Sequence, residues 1–419
     1  MIVRYRLASF MIFLLLCSAA SSQQNRFVST KGATLIAPDG APILLRGINL
    51  GNWLVPEGYM IKFRNANSPR RINSTLTELI GPDEVRIFWK KYRDNYITKE
   101  DITFIKNIGL NSIRVPFSYR LFVSEDQTLR FDGPGMEMLE RVVRWCREEQ
   151  LYVIFDMHCA PGGQTGDNID DSDGYPFLFE SAESQDLTVR LWREIAARFA
   201  DEPTVLGYDL LNEPIAPYFD VAKLNGRLEP LYKRIVASIR EVDTNHYCFL
   251  GGAQWNGNFK IFGPPFDGKL VYTYHKYWSD TTQKEIQEYV DFSKRYNVPV
   301  WLGESGENKD EWIDAFRRLN EQNNIGWCFW PYKKMDATSC MASIKRTAEF
   351  DTVIAYANEP RLTYEDIREE RPSPAIVKRA LDDYLDNCRL EKCSINVGYL
   401  RALGMMADPA LRKDALHKK

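Results

Sequence analysis

Two glutamates lying far apart in the chain, Glu213 and Glu304, each end a short apolar run. A pair of carboxyl groups brought together from distant segments suits the hydrolysis of a glycosidic bond. One acid protonates the leaving oxygen while the other carboxylate attacks or supports an oxocarbenium-like carbon. The neighbours of the two glutamates separate these roles. Asn212, next to Glu213, offers an amide to a sugar 2-hydroxyl, and Arg114 and Tyr277 supply positive charge and a hydrogen bond that would favour negative charge on Glu304. Once Glu304 is consumed in a glycosyl bond, its charge disappears. Glu213 should then release its proton more easily and act as base on water.

His158, His275 and Trp330 also stand at or just past the ends of apolar runs. Each has a plainer explanation when taken alone: a glutamate caps a helix, a histidine is structural, a tryptophan is core. Polar residues at the ends of six different runs are hard to explain by packing. If the runs are the strands of a barrel, those ends converge on one bowl, where barrel enzymes place their active sites. A metal-dependent hydrolase is a competing class, but there is no His-x-His pair and His158, His246 and His275 are scattered, so no metal and no cofactor is expected. A catalytically silent carbohydrate-binding barrel is the other competitor. The intact Glu213 and Glu304 with their supporting residues speak against it.

The elements that must position these residues are visible as alternating patterns. Residues 112–115, 152–155, 205–211, 247–250, 270–274, 300–302 and 325–330 are compact apolar runs of the kind that form strands buried on both faces, and a further strand is expected near 44–48. Amphipathic helices are expected over 101–108, 136–149, 186–199, 228–242, 284–296 and 311–322, the first opened by a Thr98/Asp101 capping box and stopped by Gly109. Eight strands alternating with helices give a parallel (β/α)8 barrel or a doubly wound sheet. No strand is followed by a Gly-rich phosphate turn, which favours the barrel. Residues 27–47 alternate around two glycine turns and should form a β-hairpin over the closed end, with long loops at the opposite, C-terminal face. The expected division is a signal peptide at 1–22, one catalytic domain at 23–390 and a C-terminal extension at 391–419.

An ordered set of strings resembles glycoside hydrolase family 5: Leu45-Arg46-Gly47-Ile48-Asn49-Leu50-Gly51, Ile113-Arg114-Val115-Pro116, Asp156-Met157-His158, Leu211-Asn212-Glu213-Pro214, His275-Lys276-Tyr277 and Gly303-Glu304-Ser305. The resemblance implies a retaining mechanism, with Glu213 as acid/base and Glu304 as nucleophile. It also implies that Trp330, followed by Pro331, floors the sugar and is followed by a cis peptide. Gly51-Asn52-Trp53-Leu54-Val55-Pro56-Glu57 and Ala160-Pro161-Gly162-Gly163-Gln164 resemble the exo-β-1,3-glucanase branch, in which the residue matching Glu57 binds the terminal glucose. The acidic stretch 167–173 lacks the aromatic clamp of that branch and reads as a solvated loop rather than a calcium site. Linkage stays open among β-1,3, β-1,4 and β-1,6 glucans, and a cellulase-like endo-β-1,4-glucanase is the alternative within the family.

The bulk composition agrees with a neutral carbohydrate as partner. The chain has 419 residues, 44% hydrophobic and 26% charged, with a net charge of -3. That supports a large core and lacks the basic excess of a nucleic-acid binder. Arg4 and Arg6, the apolar stretch 10–16 and the small residues Ser18, Ala19 and Ala20 read as a signal for export, so a secreted or periplasmic, monomeric protein with no membrane span is expected. Removing the signal would take Cys17 and leave an odd set of seven cysteines with no regular framework. They are expected to be mainly buried thiols, with Cys388/Cys393 and Cys328/Cys340 as the alternatives for local bridges.

Overall fold

The computed structural model describes residues 26–124, 126 and 128–405; the expected signal peptide lies outside them. The chain enters through a small antiparallel sheet, β1 (Ser29–Lys31), β2 (Thr34–Ile36) and β3 (Pro42–Ile43), so the expected hairpin gains a third short strand. Eight parallel strands then close a barrel: β4 (Arg46–Asn49), β5 (Ser112–Ser118), β6 (Tyr152–Cys159), β7 (Val205–Asp209), β8 (Tyr247–Gly251), β9 (Leu270–His275), β10 (Val300–Glu304) and β11 (Gly326–Phe329). Neighbours follow chain order, and β11 pairs with β4 to complete the ring.

Both faces of these strands are buried, which is why they read as continuous apolar runs. On β6, Ile154 joins an interior cluster with Leu206, Val271 and Trp301, while Val153 and Phe155 pack outward under the helices. Val28 and Leu35 of the entry segment join that interior cluster, so the small sheet caps the end of the barrel where the strands begin. The opposite end is left free for the site.

The helices between strands are α2 (Lys99–Asn107), α3 (Pro134–Glu149), α4 (Ala182–Phe199), α5 (Val221–Arg240), the one-turn α6 (Ala253–Asn256), α7 (Gln287–Tyr296) and α8 (Asp310–Gln322), after α1 (Pro69–Tyr96). On α4, Leu187, Leu191, Trp192, Ile195 and Phe199 are buried at three- and four-residue steps, the spacing that covers one helix face. The Thr98/Asp101 capping box is present at the start of α2.

α1 was not expected from the sequence. Gly81 breaks it with φ +83 and ψ 165 just before Pro82, and this interruption hides the periodicity of its buried residues. Beyond the barrel come β12 (Lys333–Met335), β13 (Ala342–Ile344), α9 (Ala348–Asn358), α10 (Tyr364–Glu369), α11 (Pro374–Asn387), β14 (Ser394–Ile395) and α12 (Val397–Ala402). Aromatic contacts tie α1, α9 and α11 together, with Tyr384 6.0 Å from Tyr92 and 4.9 Å from Phe350. α12 packs on α8, where Arg317 donates to the Ala402 carbonyl at 3.0 Å.

Candidate active site

Arg114, on β5, is the centre from which the site is built. Its side chain is wholly buried, as are those of Asp156 on β6 and Asp209 on β7. An isolated charge at such depth is prohibitively costly, so these groups must pair. Nε lies 2.8 Å from Asp209, Nη2 3.0 Å from Asp156 and 3.0 Å from Asn212 Oδ1, and Nη1 2.5 Å from Glu304 and 3.0 Å from Asn49 Oδ1. Burial opposes the charge on Arg114, but Asp156, Asp209 and Glu304 together outweigh it and hold the guanidinium ionised. Burial pushes Asp156 and Asp209 up to about 7. Three carboxyls around one cation leave an excess of negative charge that a proton relieves.

Glu304 ends β10. Its second oxygen accepts from Tyr277 Oη at 3.1 Å, so Arg114 and Tyr277 both meet it as expected from their types. Glu213 follows β7 with φ +45, in the left-handed region that costs a non-glycine residue on the order of 1 kcal/mol. Neighbouring loops hold it there: Ile215 N donates to Gln164 O at 2.8 Å, Ala216 N to Thr165 O at 3.1 Å, and Gln164 Nε2 to Asn212 O at 2.8 Å. Oxygens of Glu213 and Glu304, with a ring nitrogen of His275, lie within 4.8 Å of one another. Burial raises Glu213 to about 7, against the opposing influence of His158 and Arg114.

Both active-site histidines are neutral near pH 7, because burial lowers His158 to about 4 and His275 to about 3. His275 Nδ1 lies 3.0 Å from Glu213 Oε1 and 3.6 Å from Glu304 Oε2. His158 Nδ1 is fixed by Asp156 at 2.7 Å, and its Nε2 stands 3.4 Å from Asn212 Nδ2. Its ring lies parallel to Trp330, with centroids 5.5 Å apart and planes 7° apart. The Trp330-Pro331 peptide is cis. Gly51 sits beside the indole, where a Cβ would come within 2.5 Å of it, so this close approach requires glycine.

The structure thus brings Glu57, Arg114, His158, Asn212, Glu213, His275, Tyr277, Glu304 and Trp330 to one end of the barrel. Glu57 is buried, and its carboxyl is raised well above the usual range by burial and then by Glu304, Glu213 and Glu307. Two sets of carboxylates and histidine, Asp156/His158/Glu304 and Glu213/His275/Glu304, are close enough to hold an ion. Arg114 already supplies the cationic charge at their shared member.

Several residues of the site were missed. Asp156 and Asp209 carried a usable signal, a lone acid inside an apolar run. Tyr59 accepts from Trp330 Nε1 at 2.7 Å and Tyr399 donates to the Trp330 carbonyl at 3.2 Å, contacts from distant segments that no local pattern announces. The acidic stretch 167–173 differs from a solvated loop. Asp170 is buried and accepts from the backbone of Thr165, Gly166 and Ser172, while Asp171 is buried between Arg70 and Arg120. Exposed rings Phe177, Tyr218, Trp255 and Trp278 stand in the segments that follow β6, β7, β8 and β9, Trp255 within α6.

A closed eight-stranded parallel barrel carries this cluster at the ends of its strands. Residues 73–336 match the model of the family described as Cellulase (glycosyl hydrolase family 5), and the chain belongs to that family. A beta-xylosidase of Phanerodontia chrysosporium is 30% identical over 73% of this chain and 60% of its own. Endoglucanase C of Acetivibrio thermocellus is 25% identical over 60% of this chain and 89% of its own. A protein named probable glucan 1,3-beta-glucosidase A, from Aspergillus fumigatus, is 29% identical over 51% of this chain and 52% of its own. The chain therefore spans 60% of the xylosidase and about half of the glucosidase. None of the described helices is long and apolar enough to cross a membrane.

Proposed function

We propose that the protein is a retaining β-glycosidase that removes a terminal sugar from a β-glucan or β-glucoside by double displacement. Glu213 is its acid/base and Glu304 its nucleophile. The observation that carries this reading is the placement of the two carboxyls. One oxygen of each lies within 4.8 Å of the other, nearer than the roughly 6.5 to 9.5 Å that admits an attacking water in inverting enzymes, as a retaining pair separated by roughly 5 to 5.5 Å requires.

In the first displacement, a Glu304 oxygen forms a bond to the anomeric carbon as the glycosidic C–O bond breaks, and the Glu213 proton passes to the departing oxygen. Burial keeps that proton on Glu213 up to about neutrality. In the second, Glu213 takes a proton from water, whose oxygen attacks the same carbon and releases Glu304. Arg114 is a positioning residue in this scheme, since its side chain is wholly buried and donates to protein groups. Asn212 Nδ2 meets the 2-hydroxyl, Trp330 floors the reacting sugar, and Glu57, His158, His275 and Tyr277 line its pocket. The leaving group lies on the Glu213 side, toward the exposed rings of Tyr218 and Trp255.

Proton NMR of an aryl β-glucoside digest, read before the product mutarotates, tests the mechanism. The β-anomer should appear first, and initial release of the α-anomer would refute it. Screening β-1,3, β-1,4 and β-1,6 glucans with analysis of product length separates terminal release from endo-β-1,4 cleavage. Export belongs to the same proposal: residues 1–22 act as a cleaved signal, 23–390 as a monomeric catalytic unit and 391–419 as its extension. Amino-terminal sequencing of the exported protein and light scattering check these points.

A further inference from the structure

The bowl around the two glutamates is asymmetric. The loop that follows Glu213 carries the exposed ring of Tyr218, 6.1 Å from the exposed ring of Trp255, whereas the loops after β4 and β10 and the strand β12 present charge: Glu57, Glu307 and Lys334. Lys334 Nζ lies 2.5 Å from Glu307 Oε2 and 4.4 Å from the ring centroid of Tyr59. Because Tyr59 accepts from the Trp330 indole, the ion pair is fastened to the aromatic floor of the site. Glu307 is held at φ +50, and its carbonyl accepts from Trp278 Nε1 at 3.2 Å.

This wall is short of donors. Glu57 Oε1 and Glu307 Oε1 are both buried without a hydrogen-bond partner, and Glu57 is only 3% exposed. An unpaired buried carboxylate oxygen is destabilising, so two of them beside a reaction centre mark places where a ligand supplies the missing donors. Sugar hydroxyls are such donors, and hydroxyl oxygens also accept from an ammonium group. A structural tie between two loops would account for the contact between Lys334 and Glu307. It would not account for the second, unpaired oxygen of Glu307.

Resting on the reading of terminal-sugar removal, we propose that the Glu307/Lys334 pair is a specificity determinant. It binds hydroxyls of the terminal sugar alongside Glu57, and it closes this end of the cleft so that a glycan chain does not continue past that sugar.

The test uses the whole enzyme with Glu307→Gln, which keeps the side-chain shape, and Lys334→Met, which keeps its length over Tyr59. Wild type is measured first on oligosaccharides labelled at the reducing end. Internal fragments from wild type would defeat terminal removal itself. If wild type releases single sugars, each variant should lose about 10- to 100-fold in kcat/KM on an aryl β-glucoside at an unchanged melting temperature, the loss expected for hydrogen bonds to charged groups. Lys334→Met should in addition yield internal fragments. Aryl glucosides lacking one ring hydroxyl at a time give a readout that a structural tie would not move. One deoxy position should carry a penalty in wild type that disappears in Glu307→Gln. Terminal release in wild type, with every deoxy penalty retained in Glu307→Gln, overturns the role of the pair and leaves the mechanism standing. Should Lys334→Met fail to fold, the deoxy series on Glu307→Gln decides alone.

Discussion

At the scale of single residues, the proposed double displacement makes different demands on the surroundings of Glu213 and Glu304. As the proposed acid, Glu213 has to carry a proton to begin the reaction, and burial raises it to about 7. The working form is therefore present below that value and is lost as pH rises through it. We expect kcat/KM on an aryl β-glucoside to fall about tenfold per pH unit above roughly 7. Glu213→Gln should abolish this limb and slow substrates with poor leaving groups by about 10²- to 10⁴-fold, with a smaller effect on dinitrophenyl glycosides, whose leaving group needs no proton. A basic limb unchanged in Glu213→Gln would assign it to another group. Arg114 is a stability residue as well as a positioning one. Arg114→Met leaves Asp156, Asp209 and Glu304 buried without their cation, for an expected loss of about 3 to 5 kcal/mol in urea unfolding. Asp156 and Asp209 already have raised pKa values, so the folded state holds more protons than the unfolded one from about pH 4 to 7, and their ionisation costs stability as pH rises through that window. Removing the cation deepens the cost, and the deficit of Arg114→Met should be larger at pH 8 than at pH 5. A deficit independent of pH would mean that the lost packing, not the charge, dominates.

At the scale of elements, two glycines separate backbone strain from steric fit. Gly81 breaks α1 at φ +83, and nothing lies within 4 Å of where its Cβ would stand. Gly81→Ala should therefore cost only the backbone term, about 1 to 3 kcal/mol in unfolding for a region that essentially only glycine adopts, with kcat/KM unchanged. Gly51→Ala meets the Trp330 ring, which must move, so kcat/KM should fall by about tenfold or more even where the fold survives. Equal stability losses with full activity in both would separate Gly51 from the sugar floor. These two positions also show what could be read from sequence. Most barrel strands were legible because they are apolar runs buried on both faces, and the position of Glu213 and Glu304 was legible because each lies at or just past the end of such a run. α1 was not, although Ile72, Leu76, Leu79, Val85, Phe88, Tyr92 and Tyr96 keep three- and four-residue steps on either side, because Gly81-Pro82 imitates a loop. The Glu307/Lys334 pair and Tyr399 were invisible for another reason. Their partners come from separate loops and from the C-terminal segment, and no local pattern encodes such a meeting.

At the scale of the whole molecule, the cysteines give a test of both folding and processing. The sequence has eight, and the seven within the described residues, Cys146, Cys159, Cys248, Cys328, Cys340, Cys388 and Cys393, are all free. Six of them are buried, and Cys393 is partly so. Burial pushes Cys248 and Cys340 up to about 12 and Cys393 to about 11, which keeps them as thiols and withholds the reactive thiolate even in an oxidising compartment. Core packing, not cross-linking, then has to hold the barrel together, so a reductant should leave the melting temperature unchanged. If residues 1–22 are cleaved as proposed, titration of the denatured protein with a thiol reagent, without reductant, should count seven thiols in exported material and eight in chain retaining residues 1–22, which include Cys17. In the folded state the reagent should react slowly, and first at Cys393. A count of five from the exported chain, with a melting temperature that reductant lowers, would replace these free thiols with a disulfide and show that the fold relies on a covalent tie.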